Sequence, residues 1–213
     1  MAQVYMLTDE LVKAIDEATK LSEVEDIYAP FKEKRKTKGT EAIKLGLEPL
    51  AKIIMTLPNK TREEIAKEFL NENVKTVDDA ITNAGYIIAD WISDKPKYRK
   101  FIRKYYWYNG LVKGKLKKGA VDDAKVYETY YDFECKITSI KPHQVLALSR
   151  ADKEKVVTYS LSVKKDDIIK YLENEVIGNK KSPLVNDMMV FIEDAWKRLI
   201  EPSMERVLES VQA

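Results

Sequence analysis

The chain has 213 residues, of which 45% are apolar and 34% are charged, so it is long and apolar enough to bury a core. Only seven glycines and seven prolines occur, which disfavours an all-β or a disordered protein. The net charge of +2 is close to neutral, so any affinity for nucleic acid must come from local basic patches.

Compartment and membrane signals are few. The single cysteine, Cys135, excludes an intramolecular disulfide and fits a reducing cytoplasm. No apolar run approaches the roughly 18 residues of a membrane span, and the first ten residues lack the basic and apolar regions of a secretory signal. We therefore expect a cytoplasmic protein with no membrane partner.

Apolar periodicity and capping signals predict helices throughout the first half of the chain. Thr61 with Glu64 forms a capping-box pattern, and Thr76 with Asp79 is a weaker form of the same signal. The Asn109-Gly110 pair is a strong helix stop. The predicted helices cover residues 8–28, 40–45, 47–57, 61–70, 76–93 and 96–109.

Beyond Gly119 the pattern loosens. Residues 155–163 alternate and are rich in β-branched side chains, which predicts one strand whose pairing partner the sequence does not identify. Further helices are predicted over residues 121–133, 142–150, 166–176 and 184–208, the last with a kink at Pro202. The predicted class is all-α, a multi-helix assembly with at most one or two short strands, forming a single helical region 1–213 with a loose sub-boundary near 119–121.

A sharp reversal of charge marks the first candidate site. Residues 8–28 carry seven acids and two lysines, whereas residues 32–38 carry five basic side chains and one acid. This reversal indicates an exposed loop that meets an anionic partner through Lys34, Arg35 and Lys36. The alternative is a flexible loop with salt bridges to the acidic first helix.

A second basic region spans residues 95–118, with ten lysines and arginines, no acid and six aromatics. On an ideal helix Trp107 falls within the basic arc, where an indole can stack on bases while cations neutralise phosphates. The apolar arc contains Tyr98, Phe101, Ile102, Tyr105, Tyr106 and Tyr108, and the basic arc contains Lys97, Arg99, Lys100, Arg103 and Lys104.

The stretch 110–119 is rich in glycine and lysine, a composition that can let the backbone follow a nucleic-acid strand. The candidate nucleic-acid-binding residues of this second region are Arg103, Trp107, Lys113, Lys115, Lys117 and Lys118. The alternative is that the aromatics are core, that Trp107 packs on a part of a larger protein, and that the lysines form a solvated face.

Residues suited to catalysis are scarce. His143 is the single histidine, and with Cys135 it cannot supply the roughly four ligands of a zinc site. No glycine-rich phosphate loop is present. We read Cys135 as a small buried hydrophobe and His143 as a helix-start residue, and we expect no enzymatic activity, metal or cofactor.

Residues 25–50, EDIYAPFKEKRKTKGTEAIKLGLEPL, resemble the Tex family of bacterial transcription accessory proteins. The matching positions are Asp26, Tyr28, Pro30, Lys34, Arg35, Thr37, Gly46, Leu47, Glu48, Pro49 and Leu50. Similar stretches are 89–93, 109–118, 127–134 and 194–206, together with Ile140, His143, Leu146, Ala147 and Arg150. The pattern departs at Asn83-Ala84, Tyr86, Gln144 and Ala151.

The resemblance implies that this chain is the central helical section of a longer protein that also carries RNase H-like, helix-hairpin-helix and S1 modules. In the family, nucleic-acid binding is credited mostly to S1. We therefore expect a non-catalytic helical scaffold that contributes to RNA or DNA binding in transcription, with the RNase H-like and S1 modules and the transcription machinery as partners. The alternative is a protein-docking platform for those modules or that machinery, without direct nucleic-acid contact.

Overall fold

A computed structural model describes residues 37–205 together with Lys13, Asp16 and Glu17. The predicted first helix and the basic side chains Lys34, Arg35 and Lys36 lie outside this description. The described part forms two compact units, one of residues 37–100 and 171–196, the other of residues 101–170 and 197–205. The prediction of a single helical region with a loose boundary near 119–121 stays a prediction.

Helices dominate the described part of the chain, which confirms the mainly helical class, and they accompany one small sheet. In chain order the elements are α1 Lys38–Lys44, α2 Glu48–Met55, α3 Arg62–Ala66, α4 Val77–Asp94, α5 Pro96–Asn109, β1 Leu111–Leu116, β2 Asp132–Lys136, α6 Pro142–Lys153, β3 Val157–Ser162, α7 Lys165–Val176, α8 Val185–Asp194 and α9 Glu201–Glu205. Short 3-10 turns occupy Lys67–Phe69 and Glu128–Tyr130, and a π-helical turn occupies Ala195–Ile200.

The helix starts in the first unit follow local capping chemistry. The hydroxyl of Thr61 accepts from the backbone N–H of Glu64 at 3.3 Å, while the Glu64 carboxylate accepts from the backbone N–H of Thr61 at 2.6 Å. Thr76 caps α4 by accepting from the Asp79 N–H at 3.1 Å. Both predicted starts are confirmed, because each hydroxyl satisfies an N–H that has no partner within its helix.

Helix α4 forms the centre of the first unit, with α1, α2 and α8 packed against it. Its inward face is fully buried along Ile81, Ile88 and Ile92, which are at most 1% exposed. Gly85 allows α8 to approach, because a Cβ at this position would lie 2.2 Å from Cε1 of Phe191. Burial of this apolar stripe supplies the main stabilisation of the unit.

The second unit is built on an antiparallel sheet with strand order β2-β1-β3. Central strand β1 pairs Val112 with Cys135 on one side and with Leu161 on the other. Strand β3 confirms the strand predicted over 155–163, and its partner proves to be β1. Most of the glycine- and lysine-rich stretch 110–119 lies in this strand, since residues 111–116 are hydrogen-bonded on both sides.

The inner face of this sheet packs against α6. The buried cluster comprises Val112, Tyr127, Val145, Leu148, Ala151, Val156 and Val157. Leu148 at 1% and Val157 at 0% exposure are its most enclosed large members. The pleat sends alternate residues of β1 to opposite faces, so burying Val112 and Gly114 places Lys113 and Lys115 on the outer face.

The helix predicted over 121–133 is wrong. The carboxylate of Asp122 accepts from the backbone N–H groups of Val126 at 3.0 Å and Tyr127 at 2.9 Å, which closes a turn instead of a helix. Strand β2 then begins at Asp132. Its polar–apolar alternation pairs with β1, and this pairing overrides the weak helical pattern of the sequence.

The long helix predicted from residue 184 is interrupted before Pro202. Helix α8 passes into the π-helical turn 195–200, and α9 follows. Because proline has no N–H, Pro202 cannot donate to the carbonyl of Arg198, and a wider turn just before it accommodates the missing bond. The disturbance predicted at Pro202 is thus present as a π-helical turn that ends at Ile200, two residues before the proline.

Candidate functional site

The last turn of α5 exposes Trp107, whose side chain is 47% accessible. This exposure agrees with its predicted place in the basic arc. On the opposite side Tyr98 and Ile102 are buried at 4% and 1%, so they are core residues, as the alternative interpretation expected. Arg103 is half-buried.

Tyr108 contradicts the predicted apolar arc, because it is 64% exposed. The helix ends at Asn109, and the chain turns into β1 after Gly110. The Asn-Gly stop was visible in the sequence and could have indicated that an aromatic one residue before it lies beyond the core. Tyr108 is therefore a candidate site residue that sequence reasoning missed.

Lys113 and Lys115 share the outer face of β1, two residues and so about 7 Å apart along the strand. The ammonium of Lys113 lies 3.0 Å from the carboxylate of Glu134, which is its register partner on β2. Lys115 is opposite Asp132 in the register. Glu134 therefore offsets much of the charge of Lys113, whereas Lys115 has no ion pair among the described residues.

A pocket of about 420 Å³ lies on this outer face. Polar side chains predominate: the lysines of β1, the acids of β2, and Thr158 and Ser160 of β3. Such a face offers hydrogen-bond donors and acceptors but only a weak net field. It is less suited to a polyanion than the sequence indicated.

Lys117 and Lys118 differ in their surroundings. The ammonium of Lys117 lies 2.9 Å from the carboxylate of Asp152 and donates to the backbone carbonyl of the same residue at 3.3 Å. This lysine ties the end of β1 to the end of α6. Lys118 is exposed and, like Lys115, has no ion pair among the residues that the structure describes.

The loop between β1 and β2 is closed by a second set of contacts around Asp122. Tyr131 donates its hydroxyl to this carboxylate at 2.8 Å, and that hydrogen bond, with burial, raises the pKa of Tyr131 to about 12. Burial opposes ionisation of Asp122, but the hydrogen bonds from Tyr127, Tyr131 and Val126 outweigh it and lower its pKa. The loop that carries Lys117 and Lys118 toward β2 is therefore held by an ionised carboxylate.

A similar pairing lies where α5 faces α7. The hydroxyl of Tyr105 donates to Asp167 at 2.6 Å, which raises the pKa of Tyr105 to about 12. Phe101 stacks on Tyr105 with ring centroids 6.2 Å apart. These two aromatics of the basic region are occupied in packing, in contrast to Trp107 and Tyr108.

The two candidates for nucleophilic chemistry occupy unrelated places. Cys135 is half-buried on β2, where its thiol lies 3.4 Å from the carbonyl of Lys136. It is thus less enclosed than the buried hydrophobe expected from the sequence. His143 is exposed on the first turn of α6, as expected for a helix-start residue.

Within residues 37–205 and the three described residues before them, no group of three or more His, Cys, Asp or Glu side chains is arranged to hold a metal ion. In the same part of the chain, no helix has both the length and the apolar character needed to cross a membrane.

Several known proteins are similar to this chain, among them the following three. Uncharacterized protein YdcI of Bacillus subtilis (strain 168) is 42% identical over 204 residues, which cover 94% of this chain and 28% of YdcI. Transcriptional accessory protein Tex of Neisseria gonorrhoeae is 27% identical over 76% of this chain and 21% of its own length. S1 RNA-binding domain-containing protein 1 of Homo sapiens is 28% identical over 94% of this chain and 21% of its own length.

This chain therefore spans between about a fifth and just over a quarter of the curated relatives that it matches. The names of these relatives indicate a role in transcription and a link to RNA. A profile of the family described as Tex central region-like matches residues 57–207, more than half of the chain. The resemblance drawn from the motifs is thereby confirmed, and the protein belongs to the Tex central region-like family.

Proposed function

We propose that this chain is a non-catalytic helical section of a transcription accessory protein and that it contributes auxiliary contacts to RNA or DNA. The observation that carries this proposal is the family match over residues 57–207. One relative is named as a transcriptional accessory protein and another as an S1 RNA-binding domain-containing protein. The RNase H-like and S1 modules and the transcription machinery are its proposed partners, and a cytoplasmic location stays a prediction.

The proposed contact lysines differ in whether a carboxylate already pairs with their charge. Lys113 and Lys117 are paired with Glu134 and Asp152, so a phosphate must compete with a carboxylate for each of them. Lys115 and Lys118 are exposed, with no ion pair among the described residues. These two lysines are therefore expected to contribute more to phosphate binding than the paired ones, and Arg103 and Trp107 remain part of the proposal.

The residues Lys34, Arg35 and Lys36 remain part of the proposal on the strength of their sequence alone. Thr37, which follows them, caps α1 and donates its hydroxyl to the buried carboxylate of Asp90 at 3.1 Å. This contact anchors the start of α1 within the first unit. A charge reversal of the three basic residues therefore leaves the cap of α1 intact.

The test is fluorescence anisotropy with labelled single-stranded RNA, single-stranded DNA and duplex DNA over a range of salt concentrations. The double variant Lys115→Glu, Lys118→Glu should bind more weakly, with a salt slope reduced by roughly 0.7–0.9 for each phosphate contact removed. Lys180→Glu, Lys181→Glu is the matched control, since it makes the same charge change at exposed lysines outside the second unit. Equal loss in both double variants would show that net charge, rather than the site, governs binding.

The alternative, a protein-docking platform, is supported by a specific surface feature. Helix α8 exposes two consecutive apolar side chains, Met189 at 39% and Val190 at 63%. Neighbouring apolar side chains in water can mark a contact with another protein. Absence of nucleic-acid binding at low salt, with Val190→Asp weakening association with an added RNase H-like module, would favour this alternative over the first proposal.

A further inference from the structure

Two aromatic side chains at the end of α5 are more exposed to solvent than the other aromatic side chains on that helix. Trp107 is 47% exposed and Tyr108 is 64% exposed, whereas Tyr98 and Tyr106 are buried at 4% and 5%. Tyr105 is held by its hydrogen bond to Asp167. The exposed pair is therefore not simply the edge of an aromatic core.

Neither exposed ring is engaged within the described part of the chain. The indole N–H of Trp107 and the hydroxyl of Tyr108 have no hydrogen-bond partner there, and neither ring stacks on another. An exposed aromatic ring presents a large apolar area to water. Stacking on a flat partner removes that area from water and is therefore favourable. Two adjacent free rings therefore offer two faces for planar groups.

The charged residues of the segment that carries these rings, 95–118, are all basic. Lys104 lies three residues before Trp107 and four before Tyr108, so its side chain shares their side of the helix. Lys104 is exposed and has no ion pair among residues 37–205. No acid occurs in residues 95–118, so the charges that this segment itself contributes attract an anionic group. The carboxylate of Asp167 lies against Tyr105, within one turn of the rings, and accepts a hydrogen bond from its hydroxyl.

We propose that Trp107 and Tyr108 stack on unpaired nucleobases while Lys104 binds the adjoining phosphate, so that this chain selects single-stranded over duplex nucleic acid. The inference rests on the proposed nucleic-acid function and names its substrate class. An aromatic ring needs the open face of a base, and the faces of paired bases are already stacked inside a duplex. Exposed planar rings beside a lysine are the elements of a single-strand stacking platform.

The ring pair differs in chemistry from the lysines of β1. Those lysines face carboxylates and can serve any polyanion, whether single-stranded or duplex. The ring pair can distinguish the two forms, because only one form presents base faces. The two surfaces can therefore be tested independently.

The experiment measures the affinity of the full chain for a labelled 15-nucleotide oligo(U), a 15-nucleotide oligo(dT) and a 15-base-pair duplex. Trp107→Ala, Tyr108→Ala should weaken binding of both single strands about five-fold or more, by the usual worth of base stacking, and leave duplex binding unchanged. Trp107→Phe, Tyr108→Phe keeps both rings and should retain most of the affinity. Leu146→Ala, which also removes exposed apolar surface, is the control without a ring.

The outcomes separate this inference from the proposed function. If the double alanine variant binds single strands as the unchanged chain does, while Lys115→Glu, Lys118→Glu binds weakly, the stacking site is wrong and the broader function stands. Equal affinity of the unchanged chain for single strands and duplex also overturns the stacking site. If the chain binds no nucleic acid at low salt but binds poly-glutamate through Lys104, both proposals fail. Circular dichroism of each variant verifies that the fold is kept.

Discussion

The two compact units of this protein depend on different kinds of sequence information. In the first unit, helices begin at threonine caps and bury apolar stripes against α4. Both features depend on residues that are close together in the sequence. In the second unit, β1 pairs with strands that come later in the chain. The comparison shows that local patterns predict helices well, whereas strand pairing depends on residues that are distant in sequence.

The candidate site residues within the described part all lie in the second unit. Arg103 and Trp107 are on α5, Lys113 and Lys115 are on β1, and the following lysines lead into the loop. The unit that the sequence predicted less well is thus the one that carries the proposed function. Its fold decides which lysines are paired and which are available.

The largest expected effect is in the core of the first unit. Ile88→Ala removes a fully buried side chain from α4 and should lower the free energy of unfolding by roughly 2–5 kcal/mol, through lost burial and a residual cavity. Urea denaturation monitored by circular dichroism measures this change. Val190→Ala, at a site that is 63% exposed, is the control and should change stability by less than about 0.5 kcal/mol.

The second unit should be sensitive to added volume in its central strand. A Cβ at Gly114 would lie 2.7 Å from the backbone carbonyl oxygen of Tyr130, which cannot move without shifting the chain. Gly114→Ala is therefore expected to destabilise the protein by about 1–3 kcal/mol. Hydrogen exchange should show the loss mainly in β1 and its partner strands.

Lys115→Ala, on the outer face of the same strand, is the matched control for Gly114→Ala and should leave exchange nearly unchanged. If the Gly114 variant kept the same protection from hydrogen exchange as the unchanged chain, the loop before β2 would have to shift at little energetic cost. In that case the second unit would be more adaptable than the first.

A smaller effect is expected from the cap of α4. Thr76→Ala leaves the N–H of Asp79 without its hydroxyl partner and should cost roughly 0.5–2 kcal/mol. Thr82→Ala, on the exposed side of the same helix, is the control, because it makes the same change without removing a cap. If both variants lose the same stability, helix propensity rather than capping sets the start of α4.

The smallest expected effect is a pH dependence that distinguishes the second unit. The raised pKa of Tyr131 means that its contribution to stability is full below pH 10 and declines as the pH rises toward about 12. Tyr131→Phe should reduce this alkaline decline in unfolding midpoints measured between pH 9 and 12. Tyr108→Phe removes an exposed hydroxyl instead, and an equal reduction in that variant would contradict the role of the Asp122 contact.

Most helices could be predicted from the sequence, because their signals act within a single turn or a single face. Thr61 and Thr76 mark true starts, and Asn109 marks a true end. The helix predicted over 121–133 failed because Asp122 binds backbone N–H groups and because β2 gains more from pairing with β1 than from helical periodicity. For the candidate site, the basic charge and the exposure of Trp107 could be predicted from the sequence. Helical periodicity, however, placed Tyr108 on the apolar side of α5, whereas its side chain is exposed.

The sequence by itself determined the mainly helical class, the family and the absence of acids from residues 95–118, since each of these depends on residue identity and local order. Only the tertiary structure decided that residues 111–116 form the central strand of a sheet, that Lys113 and Lys117 meet carboxylates, and that Trp107 and Tyr108 remain uncovered. The physical reason is that pairing and burial depend on which distant residues become neighbours, and a one-dimensional pattern does not record that choice.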